Sequence, residues 1–248
     1  MTHDEATSAP TLFRTLRRMN EYLSKDFLGG PKVLKAAWVI NVQKGGTLPF
    51  VLLLMVLYDN YSTAAWVYLG LHGSYGLCWL LKHLVFPDPG WEERVTFGGA
   101  VNMWLFVLGL YWVAPFLLIS DVLGAARPDP APAVLGGAIV LYAVGVVIMM
   151  AADCQKYFTL RVQRGLITDG LFRLIRHPNY LGEMMIYASF AVVAGHWIPW
   201  LILAWVWGAL FSTNIAMKEA SMSRYPEWAA YKARTGRLLP KPWAWRRK

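Results

Sequence analysis

Six runs of apolar residues, most of them near the length that crosses a bilayer, constrain this chain more than any other feature of its sequence. They cover 36–58, 64–86, 99–119, 133–152, 180–194 and 197–217. A membrane helix needs about 20 apolar residues. The first run is interrupted by Gln43-Lys44-Gly45-Gly46. A helix begun after Gly46 would be too short to cross, so the polar interruption is expected inside the membrane or at its inner edge. Pro87-Asp88-Pro89-Gly90 closes the second run, and a Pro- and Ala-rich linker over 125–132 follows the third. Gly195-His196-Trp197-Ile198-Pro199 reads as a tight turn that makes a helical hairpin of the last two runs.

Composition agrees. The chain is 56% hydrophobic and 16% charged, against about 25% charge in soluble domains. The formal net charge of +9 is distributed by topology and does not point to nucleic acid. With the N-terminus in the cytoplasm and six spans, all of the 24 Lys and Arg except Arg127 fall on the cytoplasmic side. Such an asymmetry is what orients membrane helices. The expected fold is therefore an all-α, polytopic membrane bundle of about six helices with both termini cytoplasmic. The segment 14–35 is expected to be an amphipathic helix lying on the inner leaflet. Three regions follow: a cytoplasmic or interfacial segment, 1–34; helices on the substrate side, 35–152; and a cofactor-binding half, 153–248. No apolar leader is visible at the N-terminus, so no signal peptide is expected. Cys78 and Cys154 read as small buried hydrophobes.

Polar residues at membrane depth are functional candidates by default. Asp153, Lys156, Tyr157, Arg161 and Arg164 lie at helical spacings at the end of the fourth run. Arg176-His177-Pro178-Asn179-Tyr180-Leu181-Gly182-Glu183 enters the fifth. Pro178 suits the first turn of a helix, and Asn179 and Glu183 share a face, fit to orient an amide, a ribose or an ammonium. Asn214, Lys218 and Glu219 end the sixth run. Arg224, Tyr225, Trp228, Tyr231 and Arg234 follow, with the pattern of a helix folding back to close a pocket. Soluble nucleotide and metal motifs such as the P-loop, G-x-G-x-x-G and H-E-x-x-H are absent. Many cations with a few carboxylates and amides suit the phosphates of NADPH better than the cationic S-adenosylmethionine. In the N-terminal half, Gln43, Lys44, His72, Tyr75 and Lys82 stand at membrane depth. A Tyr or Lys there can polarise a substrate carbonyl.

The run at 176–183, preceded by Thr168-Asp169-Gly170-Leu171-Phe172, resembles the C-terminal half of the steroid 5α-reductase superfamily, and within it the bacterial DUF1295 branch. Isoprenylcysteine and phospholipid methyltransferases share the Arg-His-Pro-x-Tyr-x-Gly core. The reductase resemblance implies that Asn179 and Glu183 contact the nicotinamide nucleotide and that Asp153 with the following basic residues binds the cofactor. The methyltransferases carry Glu-Glu after the last span, where this chain has Lys218-Glu219. Reductases have an Arg after Asn-Ile, where this chain reads Asn214-Ile215 and then Lys218. The segment 37–44 with Leu48-Pro49-Phe50 is similar to the reductase segment whose Gln-Glu pair meets the steroid ketone. His72 to Tyr75 is similar to the segment of the catalytic Tyr. Two departures stand out: Lys44 occupies the place of that Glu, and the reductases have seven spans.

The resemblance implies an NADPH-dependent reductase of an activated carbon–carbon double bond in a lipophilic substrate. Gln43, Lys44 and Tyr75 would face the substrate. Asp153, Lys156, Arg161, Arg176, His177, Asn179, Tyr180, Glu183, Asn214, Lys218, Arg224 and Tyr231 would hold the cofactor from the cytoplasm, in a multi-pass protein of a bacterial inner membrane. Two readings stay open. One is an S-adenosylmethionine-dependent methyltransferase of a lipid or prenylated acceptor using Arg176, His177, Glu183 and Glu219. The other is a non-catalytic lipid-binding protein. Substrate identity and oligomeric state are not legible.

Overall fold

The computed structural model describes residues 9–123 and 129–241. Arg127 with the first half of the 125–132 linker and the extremes of both terminal segments lie outside the described residues. All six apolar runs become helices. In chain order the elements are α1 (Thr11–Glu21), β1 (Leu34–Lys35), α2 (Ala36–Leu57), α3 (Thr63–Val85), β2 (Arg94–Val95), α4 (Phe97–Ser120), α5 (Pro132–Val162), α6 (Pro178–Ala194), α7 (Trp197–Met222) and α8 (Trp228–Arg234). Among the described residues, α2, α4, α5 and α7, of 22, 24, 31 and 26 residues, are long and apolar enough to cross a membrane. Helix α6 has 17 residues, and α3 carries His72, Ser74, Lys82 and His83 along its length. Large apolar side chains such as Leu84 and Val147 face outward.

Local chemistry sets the boundaries. The Ser62 hydroxyl caps α3 by accepting the Ala65 N–H at 3.3 Å, and Thr96 caps α4 through the Gly99 N–H at 3.0 Å. Pro132 and Pro178 open α5 and α6, where a missing N–H costs nothing. Gly195, at φ 62°, ends α6, and His196 Nδ1 accepts the Ile198 N–H at 3.1 Å, which forms the expected tight turn. Two helices contain π-helical turns, Trp104–Leu108 in α4 and Val206–Phe211 in α7.

The polar interruption of the first run lies within α2, which continues through Gly45, Gly46 and Pro49. At 1.5 Å per residue Lys44 sits roughly 12 Å into the helix from Ala36. Gly76 of α3 packs on the Lys44 carbonyl so closely that a Cβ there would collide with it. Helices α5 and α6 meet at a similar seam: a Cβ on Gly182 would lie 2.6 Å from the Gly145 carbonyl oxygen and 2.6 Å from the Met149 nitrogen. Small residues at such crossings let helix backbones approach closely.

One expectation is corrected. The amphipathic helix over 14–35 is shorter, because α1 ends in a π-helical turn (Tyr22–Asp26) and Leu28, Gly29 and Gly30 adopt positive φ. The segment folds onto the bundle: Arg17 Nη1 donates to Asn214 Oδ1 at 2.9 Å, Lys25 meets Glu93 at 2.5 Å and Lys35 meets Glu92 at 2.7 Å. The bundle is all-α as expected, with one pair of two-residue strands added. Strands β1 and β2 pair antiparallel, Leu34 opposite Val95, and two-residue strands leave no alternation to read in the sequence.

Candidate functional site

The predicted residues gather at one end of the bundle, where α2, α4 and α6 begin and α3, α5 and α7 end. An outer cavity of about 440 Å³ is lined by Lys156 and Arg164 of α5, His177 and Asn179 at the start of α6, Lys218 of α7, and Arg224 and Tyr231 beyond it. An inner cavity of about 390 Å³ shares Asn179 and Lys218 with the outer one and adds Lys82, Asp153, Tyr180, Glu183 and Asn214. A side cavity of about 210 Å³ shares Lys82, Asp88 and Asp153 with the inner one and includes Arg161. Cations ring the outer space, while the inner one mixes cations with carboxylates and amides. The opposite end of the bundle has a cavity of about 610 Å³ around Asn60, Asp121 and Gly195, and none of the predicted residues line it.

The inner cavity is ordered by ion pairs and cation–π contacts. Lys82 Nζ donates to Asp153 Oδ2 and lies over the rings of Trp79 and Trp91, 4.6 and 5.0 Å from their centroids. Lys218 Nζ sits 4.7 Å above the Tyr180 ring. Burial pushes the Asp88 carboxyl up, but Lys156, whose Nζ is 3.7 Å away, outweighs it together with the Gly90 N–H, Lys218 and Lys82, and the group stays below its ordinary value.

Several predicted cofactor residues are engaged by the protein itself, Arg176, Tyr231 and Arg161 among them. Arg176 is buried: Nε donates to Glu219 Oε1 at 2.9 Å and Nη1 to the Thr235 carbonyl at 2.6 Å. Arg237 holds the other Glu219 oxygen at 2.8 Å. Tyr231 is buried and donates to the Phe172 carbonyl at 2.8 Å, with burial pushing its phenol up to about 12. Arg161 donates to Tyr157 at 2.8 Å on the exposed side of α5. Arg176 and Tyr231 thus build the wall of the outer cavity from behind. Helix α8 closes it as the sequence suggests, aided by a short parallel bridge between Ile175 and Gly236. His177 Nε2 lies 3.5 Å from Glu219 Oε1. Burial holds its imidazole below the ordinary value despite that carboxylate, so a neutral ring faces the cavity.

Gln43, Lys44 and Tyr75 lie deeper and line none of the cavities described above. Lys44 Nζ donates to Tyr187 Oη at 2.5 Å and is enclosed by the rings of Tyr75, Trp79, Tyr111 and Tyr187, 4.8 to 5.1 Å from each centroid. Tyr111 stacks on Tyr187 with centroids 4.1 Å apart and planes 14° apart. His72 Nδ1 and the Tyr68 hydroxyl share a hydrogen bond of 3.0 Å, and the imidazole stacks on Phe190, leaving Nε2 without a partner. The Gln43 amide is wholly buried with both polar atoms unpartnered. Trp79 is the wall between this cage and the inner cavity, since it lines the one and covers the other. Sequence reasoning missed Tyr187, Tyr111, Trp79 and the Lys82–Asp153 pair. Tyr187 had one available signal, its place one helical turn after Glu183 on the same face.

A family model described as "Protein of unknown function (DUF1295)" matches residues 88–237. An uncharacterized protein of Schizosaccharomyces pombe is 34% identical over 92 residues, covering 35% of this chain and 27% of that protein. A second uncharacterized protein of the same organism is 44% identical over 70 residues, covering 27% of this chain and 24% of its own length. The chain thus spans about a quarter of each relative it matches. No solved structure matches it.

Proposed function

This chain belongs to the DUF1295 family, part of the steroid 5α-reductase-like grouping, and from that premise we propose that it is a membrane-embedded, NADPH-dependent reductase of an activated carbon–carbon double bond in a lipophilic substrate. One observation carries the reading. A cation-ringed outer cavity passes through Asn179 and Lys218 into an inner one that holds Glu183 and Asp153, and beyond its Trp79 wall stands a caged ammonium. That order suits a long, polyanionic cofactor with an uncharged, hydrogen-bonding end.

The residues fit that group. Lys156, Arg164, Lys218 and Arg224 offer the charge that phosphates need, and Asn179 and Glu183 offer an amide and a carboxylate to a carboxamide or ribose. When bound, NADPH supplies a hydride. The chain's own part is to hold the acceptor and exclude water. Lys44 and Tyr75 polarise the substrate carbonyl and stabilise the negative charge that develops on its oxygen. Tyr75, Trp79, Tyr111 and Tyr187 keep that end of the site dry, which strengthens the electrostatics of a single ammonium. Lys44 takes the position of the reductases' Glu and supplies the polarising charge directly.

The same proposal gives the chain six spans, with α3 and α6 joining the four longer helices, both termini on the cytoplasmic side, and the outer cavity open to the cytoplasm of a bacterial cell. The test is turnover. Purified protein in nanodiscs is given NADPH and a bilayer-soluble 4-en-3-one, and NADPH absorbance is followed. Oxidation that requires the enone supports the reading. Methyl transfer from S-adenosylmethionine to a prenylated thiol, without enone reduction, overturns it.

A further inference from the structure

The cage around Lys44 contains a hydrogen-bonded chain whose direction is fixed by chemistry. An ammonium has three donors and no acceptor. The Lys44 contact to Tyr187, 2.5 Å, therefore makes the Tyr187 oxygen an acceptor. Tyr187 has one proton, and the neighbour it donates to is the Tyr75 hydroxyl, 3.5 Å away. Tyr75 then accepts from Tyr187, and its own proton is committed to nothing in the protein. Tyr187 cannot easily turn aside, because it is 4% exposed and Tyr111 stacks flat on its ring. One side chain separates Tyr75 from the inner cavity: Trp79 lines that cavity and meets the Tyr75 ring edge-on at 6.1 Å.

We propose that Tyr187 is a positioning residue that joins Lys44 to Tyr75 and aims the free Tyr75 proton at an anionic oxygen on the ligand. The inference rests on the reductase reading for its place in a reaction. When Tyr75 gives its proton to the reduced substrate, the Tyr187 proton replaces it, a Lys44 proton replaces that of Tyr187, and water reprotonates the Lys44 amine. One proton reaches the product for each hydride that the cofactor supplies. Tyr187 itself touches neither substrate nor cofactor.

The test needs no turnover. The probe is a 4-nitrophenol bearing a long alkyl chain, titrated into the full chain in nanodiscs, where its visible band reports the bound phenolate. The wild type binds phenolate. Tyr187→Phe keeps the stacked ring but removes the link, and it weakens phenolate binding by about tenfold or more, the size of a hydrogen bond to a charged group. Tyr75→Phe weakens it at least as much. Tyr111→Leu keeps the Tyr187 and Tyr75 hydroxyls but removes the ring stacked on Tyr187; it moves binding in the same direction by less, and it carries the test if Tyr187→Phe does not fold. A wild type that binds no phenolate, or Tyr187→Phe and Tyr111→Leu proteins that bind it as tightly as wild type, overturns the proposal. NADPH is titrated separately. Loss of NADPH binding alone, with the phenolate pattern intact, supports the hydrogen-bonded chain and fells only the reductase reading.

Discussion

Two lysines in this protein are equally buried, at 3% exposure each, and they are treated in opposite ways. Lys82, near the basic end, is paired with the Asp153 carboxylate and lies over two tryptophans. Lys44, in the middle of α2, meets no carboxylate within salt-bridge distance among the described residues and leans on one phenol and four aromatic rings. The first arrangement is that of a structural ion pair, in which each charge needs the other. The second leaves a cation whose interactions are soft enough to be redirected toward a ligand. In a bundle that excludes water, that difference separates the framework of a site from its reactive part.

Breaking the framework has the largest expected effect. Lys82→Met leaves Asp153 buried without its counter-charge and should cost about 3–5 kcal/mol of stability, read as loss of thermal stability in nanodiscs. Adding Asp153→Leu should recover much of that loss. A single variant as stable as wild type would mean that the pair is not structural. The close helix seams come next. Gly76→Val drives a side chain into the Lys44 carbonyl and should destabilise by about 1–3 kcal/mol, as overpacking does, while leaving Lys82–Asp153 in place. Lys44→Met should change stability by less than about 1 kcal/mol, because no buried carboxylate is orphaned. Enone reduction should nevertheless be lost. If Lys44→Met were as damaging as Lys82→Met, the contrast between the two lysines would fail.

The smallest effect concerns pH. Asp88 is held below its ordinary value of 3.8 by the cations around it. It therefore contributes stability that is present above that value and is lost as pH falls through the depressed one. The acid limb of the stability profile should be shallower in Asp88→Asn, and identical profiles would show that Lys156 and its neighbours do not act on this carboxyl.

The helices were largely legible because apolar length is a property of contiguous sequence. Each of the six runs is a helix, the fourth extended ten residues to Val162, and the polar interruption at Gln43 to Gly46 lies inside the first, as its length requires. The convergence of Asp153, Asn179, Glu183 and Lys218 on one end also followed from the sequence, since each stands at the basic end of its own apolar run. What could not be read was which faces meet. Lys82 and Asp153 are 71 positions apart, Lys44 and Tyr187 143, and Arg17 and Asn214 197. No spacing rule links such pairs, and a Tyr or Trp inside an apolar run looks the same whether it faces lipid or encloses an ammonium. Sequence places Arg176 with the cofactor residues because it opens the Arg-His-Pro-Asn-Tyr-Leu-Gly-Glu run. Its own side chain turns inward to Glu219, where a buried carboxylate already required a partner.

The most direct test of the account is calorimetric binding of NADPH to the purified protein in nanodiscs, with NADH and S-adenosylmethionine in parallel and Asn179→Ala as the control. The account predicts micromolar NADPH affinity that drops by about tenfold in Asn179→Ala, the scale of one buried hydrogen bond, with weaker NADH binding and none of S-adenosylmethionine. Binding of S-adenosylmethionine in place of NADPH, or NADPH binding indifferent to Asn179→Ala, would contradict it.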